Sequence, residues 1–187
     1  MTADQLLIFL DPVGEPLGWL RLADGRVAAR GESLADIALV DEDGMAFAVT
    51  GIVPGEAVTI HWLEVPGELA PAQAAAAARL LAAEVSAQPV GDLHVAVGRP
   101  EAGSDLRAVA LVPALAMTNW LGRLQMLGFD PDRMIPDTLL LPVPDDGFVR
   151  FDGTSPPLFR GRGEAFAAPV RSVSPTPATL AAYCSAW

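Results

Sequence analysis

The chain has 187 residues, 51% of them hydrophobic and 19% charged, enough apolar material for one large domain or two small lobes and too much for a disordered segment. Its 23 acidic residues against 12 basic ones, all arginine, give a formal charge of −11, which disfavours nucleic-acid phosphates and anionic lipid headgroups as partners. The lack of lysine excludes Schiff-base and P-loop chemistry, and the single cysteine, Cys184, leaves no internal disulfide.

The start, MTADQLLIFL, has neither the positive flank nor the long apolar run of a secretory signal. No stretch approaches the ~18 apolar residues of a membrane span, so a soluble chain is expected. Residues 6–10 read as a buried strand, stopped by the turn cluster Asp11-Pro12-Val13-Gly14. Residues 19–22 and 26–30 flank Ala23-Asp24-Gly25, and Asp-Gly between two such runs predicts a tight hairpin. Residues 33–40 predict one or two helical turns capped by Ser33. Residues 45–50 and 58–65 are then expected to pair with each other around Val53-Pro54-Gly55-Glu56.

From Leu69 the period changes. Pro71 suits a first helical turn, and residues 72–87 are almost all strong helix formers, with Leu80, Leu81 and Val85 as the apolar stripe. The run Ala74 to Ala78 permits close backbone approach, and Pro89 stops the helix. Strands are expected at 92–98 and 106–112, joined by a polar loop through Ser104. After Pro113 a second helix over 114–127 carries Met117, Trp120, Leu121, Leu124 and Leu127 at three- and four-residue steps, with Gly128 as its C-terminal cap. Residues 134–141 read as strand, 148–151 and 158–160 as a hairpin, and 164–167 as a last strand. The tail from Ser172 is rich in Pro, Ser and Thr, with a short helix expected over 178–187. The order predicts an α/β or α+β fold with mixed sheets.

Chemistry is sparse. His61 and His94 are the only histidines, each inside a predicted strand, and the His61–Glu64 spacing points the two side chains to opposite faces. No metal site, cofactor or catalytic residue is expected from such a set. Neither Gly31-Glu32-Ser33-Leu34-Ala35 nor Gly153-Thr154-Ser155-Pro156-Pro157 closes a nucleophile elbow, and Phe166 stands where a third phosphate-loop glycine belongs after Gly161-Arg162-Gly163. Residues 7–11 followed by Gly14 resemble the strand–acid–glycine start of actin-type ATPases, but Asp41-Glu42-Asp43-Gly44 is a poor second phosphate turn. Paired carboxylates such as Asp145 and Asp146 read as solvated loop charge. The candidate partner-binding residues are Arg160 and Arg162, two apart on one predicted strand, which could clamp a carboxylate bidentately; solvated arginines are the plain alternative.

Three stretches together carry a family resemblance. The first is Ile52-Val53-Pro54-Gly55-Glu56-Ala57-Val58-Thr59-Ile60-His61-Trp62, then Val65-Pro66. The second is Asp92-Leu93-His94-Val95-Ala96-Val97-Gly98 behind the alanine-rich helix. The third runs from Met117, Trp120, Leu121 and Leu124 through Gly128-Phe129-Asp130-Pro131 to Ile135-Pro136-Asp137 and Leu140-Leu141-Pro142. Over roughly residues 45–167 the chain resembles the cytoplasmic domain of the type II secretion system protein L (general secretion pathway protein L).

The resemblance implies an actin-like, RNase H-like α/β fold in two or three small subdomains. The expected division is 1–68, a β-hairpin-rich first part; 69–142, an αββαβ second part; 143–171, a hairpin returning to or completing the sheet; and 172–187, a tail. It implies a non-catalytic scaffold that recruits the N-terminal domain of the secretion ATPase and couples it to the other inner-membrane components, with a possible homodimer. A transmembrane helix and a periplasmic domain accompany such a region in the family, and these residues are expected to be its soluble cytoplasmic part. Two alternatives stand beside it. One is a nucleotide-binding actin-like protein of the pilus-assembly or division type, resting on Asp11 and Gly14. The other is a small hydrolase using Asp145 or Asp146 with Glu64.

Overall fold

The computed structural model describes residues 4–37, 47–99 and 106–168. The expected turn at Asp41 to Gly44, the strand start at Met45, the loop around Ser104, the tail, its short helix and Cys184 all lie outside the described residues.

Three sheets and two helices make up the described residues. Strands β1 (Gln5–Leu10), β2 (Pro16–Ala23) and β3 (Arg26–Gly31) form an antiparallel meander. Asp24 and Gly25 both have positive φ (49° and 72°), the left-handed pair that a two-residue hairpin turn needs, so this hairpin forms as expected. Strand β4 (Ala48–Val53) then runs parallel to β1, and β8 (Arg133–Pro136) runs parallel to β4, which completes the order β3-β2-β1-β4-β8. Alternate residues of β1, Leu6, Ile8 and Leu10, point into one core.

The second sheet has the order β5-β7-β6, antiparallel throughout, from β5 (Thr59–Glu64), β6 (Leu93–Val97) and β7 (Leu106–Pro113). The third is a short meander, β9 (Val149–Phe151), β10 (Leu158–Arg160) and β11 (Ala165–Ala167), in the order β11-β10-β9. One mixed sheet and two antiparallel ones, with two helices, agree with the expected α/β class.

The expected pairing of 45–50 with 58–65 is corrected: β4 is central between β1 and β8, while β5 pairs with β7. The reason lies in the turn between them. Gly55–Ala57 is a single 3₁₀ turn, and the Gly55 N–H donates to Asp137 Oδ1 at 2.8 Å, so the chain is tied to a distant segment instead of folding back. The strand expected over 134–141 is likewise shorter. It ends at Pro136, which has no N–H to continue a ladder, and Asp137–Leu140 closes into a 3₁₀ turn. Only one 3₁₀ turn, Leu34–Asp36, is described within 33–40, with Ser33 Oγ accepting from the Ala35 N–H.

Helix α1 (Pro71–Val85) covers one face of β5-β7-β6. Of the expected apolar stripe only Leu81 packs on this core, half-buried, and Val85 is 41% exposed. Ala74, Ala78 and Ala82 are buried against Val65, Val109, Leu111 and Leu93, whereas Leu80 is 74% exposed. Alanine lets the helix axis come close, and the sheet's own Val and Leu side chains fill the space. Helix α2 (Ala114–Met126) packs on the five-stranded sheet through Trp120 and Leu124, both fully buried, as the sequence period predicted. Its end is a Schellman cap: the Gly128 N–H bonds Gln125 O and the Phe129 N–H bonds Leu124 O, with Phe129 and Leu124 both in the core.

Replacing Trp120 with Ala is expected to cost about 3–5 kcal/mol, whereas Leu80→Ala is expected to stay within about 0.5 kcal/mol. Urea denaturation of both variants measures this, and a large loss at Leu80 would contradict the helix orientation. Two groups set opposite pH trends. Burial lowers the pKa of His61 from its ordinary 6.5, so the stability it contributes is full above that value and is lost on acidification. Burial raises the pKa of Asp137 above the ordinary 3.8, partly offset by backbone hydrogen bonds from Gly55 and Thr138, so this group adds stability as pH falls through its folded value. Denaturation midpoints of His61→Phe are expected to lose the decline that sets in as pH falls below about 6.5, and those of Asp137→Asn to lose the gain at lower pH.

Candidate docking surface

The Asp11–Gly14 turn is the position where a phosphate loop would start. Asp11 Oδ1 accepts from the Val13 N–H (2.9 Å) and the Glu15 N–H (2.8 Å), and Gly14 N–H bonds Asp11 O (3.1 Å). The carboxylate is therefore spent on shaping its own turn. Helix α2 sits directly on this turn. Trp120 Nε1 donates to Pro12 O at 3.3 Å, Arg123 pairs with Glu15, and a Cβ at Gly14 would lie 3.4 Å from Trp120 Cδ1. Gly14 has φ +98°, so glycine meets both a left-handed backbone and a close helix.

The histidines are apart in environment. His61 is half-buried on β5 opposite Val109, on the α1 side of its sheet, and His94 is exposed on β6. Glu64 is exposed at the end of β5, and Asp145 and Asp146 are exposed in the loop before β9. Asp146 Oδ1 accepts from the Gly147 N–H (2.8 Å), and Asp145 lies 4.0 Å from Arg162 Nη2. Among the described residues no three His, Cys, Asp or Glu side chains converge as a metal-binding group.

Arg160 and Arg162 do not share a face. Arg160 ends β10 and is 7% exposed, with its guanidinium stacked on the Trp62 ring at 4.7 Å to the centroid and Nη1 donating to Glu164 O at 3.4 Å. Arg162 lies in the turn beyond β10 and is exposed. The stacked Arg160 joins the third sheet to β5, a role its charge and spacing alone did not signal. The sequence missed a further link: Arg107, 5% exposed on β7, donates from Nη2 to Pro66 O at 2.6 Å and holds the chain leaving β5.

Surface for a partner is offered mainly by strand edges. Among the described residues β3 and β8 end the first sheet, β5 and β6 the second, and β9 and β11 the third. β11 lies against β5 and the Gly55–Ala57 turn, whereas β4 and β10 are interior and offer no edge. Among the described residues no helix is long and apolar enough to cross a membrane.

No curated protein matches the chain. Among solved structures it is similar to the cytoplasmic domain of EpsL, an inner membrane component of the type II secretion system of Vibrio cholerae. The TM-score is 0.64 at 21% identity, covering 89% of this chain and 71% of that one, which shows a shared fold. A protein with an actin-like ATPase fold and unknown function from Bacteroides thetaiotaomicron matches at TM-score 0.43 and 10% identity, over 99% of this chain and 76% of that one. The family model for type II secretion system protein L matches residues 23–183, most of the length. The chain belongs to the protein L family of the type II secretion system.

Proposed function

We propose that this chain is a non-catalytic scaffold at the cytoplasmic face of the bacterial inner membrane, where it recruits the secretion ATPase through that enzyme's N-terminal domain. It would couple the ATPase to the other inner-membrane components. The observation that carries this reading is the family match over residues 23–183, and the shared fold with the cytoplasmic domain of an inner membrane component supports it. The geometry of the Asp11–Gly14 turn supports a non-catalytic role, because Asp11 is committed to backbone N–H groups and α2 occupies the space beside it. The formal charge of −11 favours a partner surface with basic patches. Arg162, the exposed member of the arginine pair, is the one available to a partner carboxylate.

Calorimetric titration of the chain with the N-terminal domain of the secretion ATPase from the same organism tests the reading. Micromolar or tighter 1:1 binding is expected, weakening severalfold between low and high salt as the charges are screened. The absence of both heat and co-elution would overturn it, and a flat salt series would remove the electrostatic part. Saturable binding of ATP with Mg²⁺ that Asp11→Ala abolishes would move the assignment to a nucleotide-binding actin-like protein.

A further inference from the structure

Strand β9 is an edge whose sequence is complementary to itself. Among the described residues it has one hydrogen-bonded neighbour, β10, so its outer side presents unpaired main-chain groups. Arg150 and Asp152 lie on one face of the chain there and pair with each other, Arg150 Nε donating to Asp152 Oδ1 at 2.7 Å. Their side chains are 37% and 65% exposed. Phe151 stands between them on the opposite face and is 46% exposed, although its cross-strand partner Leu158 is buried.

We propose that β9 pairs antiparallel with β9 of a second copy of this chain, about a two-fold axis through Phe151. An antiparallel two-fold centred there sets Phe151 opposite its own copy. Each Arg150 then faces the other chain's residue 152, and each Asp152 the other chain's residue 150. The order plus, aromatic, minus is what makes this register self-complementary. A strand edge guarded by charges of one sign would place like charges opposite each other and repel its copy. The two internal Arg150–Asp152 pairs, one in each copy, are exchanged for two pairs across the axis, and the two three-stranded sheets become one of six strands. The exposed Phe151 rings gain an apolar contact on the other face. This follows from the β9 edge alone and is independent of the ATPase-recruiting role.

The edge is short, so the dimer is weak in dilute solution, with a dissociation constant on the order of 100 μM or above. Sedimentation equilibrium of the full chain from low concentration up to ~1 mM reads it. The wild-type mass is expected to rise toward the dimer. Arg150→Asp places acid opposite acid and Asp152→Arg places arginine opposite arginine, so each variant alone is expected to associate at least about tenfold more weakly. Mixed one to one, the two variants face each other with opposite charges at both positions, and association is expected to return. That recovery also shows that both variants fold, and circular dichroism of each checks it separately. A wild-type chain that stays monomeric throughout would overturn the proposal. So would a wild-type dimer that the single swaps leave intact, or one that the mixture fails to restore.

Discussion

The packing of Trp120 onto the turn after β1 is the contact on which the rest of the molecule rests. One indole fills the core between helix and sheet, donates to Pro12 O and lies against Gly14, while Arg123 one position from the next turn of the helix pairs with Glu15. Removing any one of these would loosen α2 from β1, and with it the seat of β4 and β8, whose side chains meet Leu124 and Met134 in the same core. The same contact shapes the turn after β1: Trp120 and Arg123 of α2 lie against it, and Asp11 Oδ1 accepts from two of its own N–H groups.

A second constraint sets how the sheets leave one another. The chain passes from the five-stranded sheet toward the other two after Val53 and after Pro136, and both exits are proline-marked 3₁₀ turns. Asp137 joins them by accepting the Gly55 N–H, and a Cβ at Gly55 would come within 2.7 Å of that carboxylate oxygen and 2.4 Å of Thr138 Cγ2. Glycine is required there by the close approach. The third sheet lies across both turns, and the Arg160 guanidinium on Trp62 ties it to β5. An arginine at a strand end reads from sequence as a surface charge, yet here it is buried as a cation over an aromatic face.

Six strands end sheets among the described residues, and they differ in how they are guarded. β3 carries Arg26 and Arg30 and a bulge opposite Arg21 and Leu22, features that discourage pairing. β11 is covered by β5 and the Gly55–Ala57 turn. β9 is guarded by charges of opposite sign, which resist most strands and accept a matching one.

What was legible in the sequence was local. The Asp24-Gly25 hairpin, the 114–127 stripe with its Gly128 cap, and the strand–turn at Leu10 to Gly14 each depend on residues within a few positions, so composition and period suffice to predict them. The family motif too lies in contiguous runs, so the resemblance is carried by the chain's local sequence. Tertiary structure decided the rest. Which strands become neighbours depends on segments tens of residues apart: β4 joins β1 and β8 because Gly55 is anchored to Asp137, not because 45–50 prefers 58–65. The inward face of α1 was unreadable for the same reason. A helix of alanines has little moment of its own, and the Val and Leu side chains of the sheet beneath chose Ala74, Ala78 and Ala82 over Leu80. The fates of Arg160 and Asp11, one stacked in the interior and the other locked to its own turn, are likewise contacts that no spacing along the chain encodes.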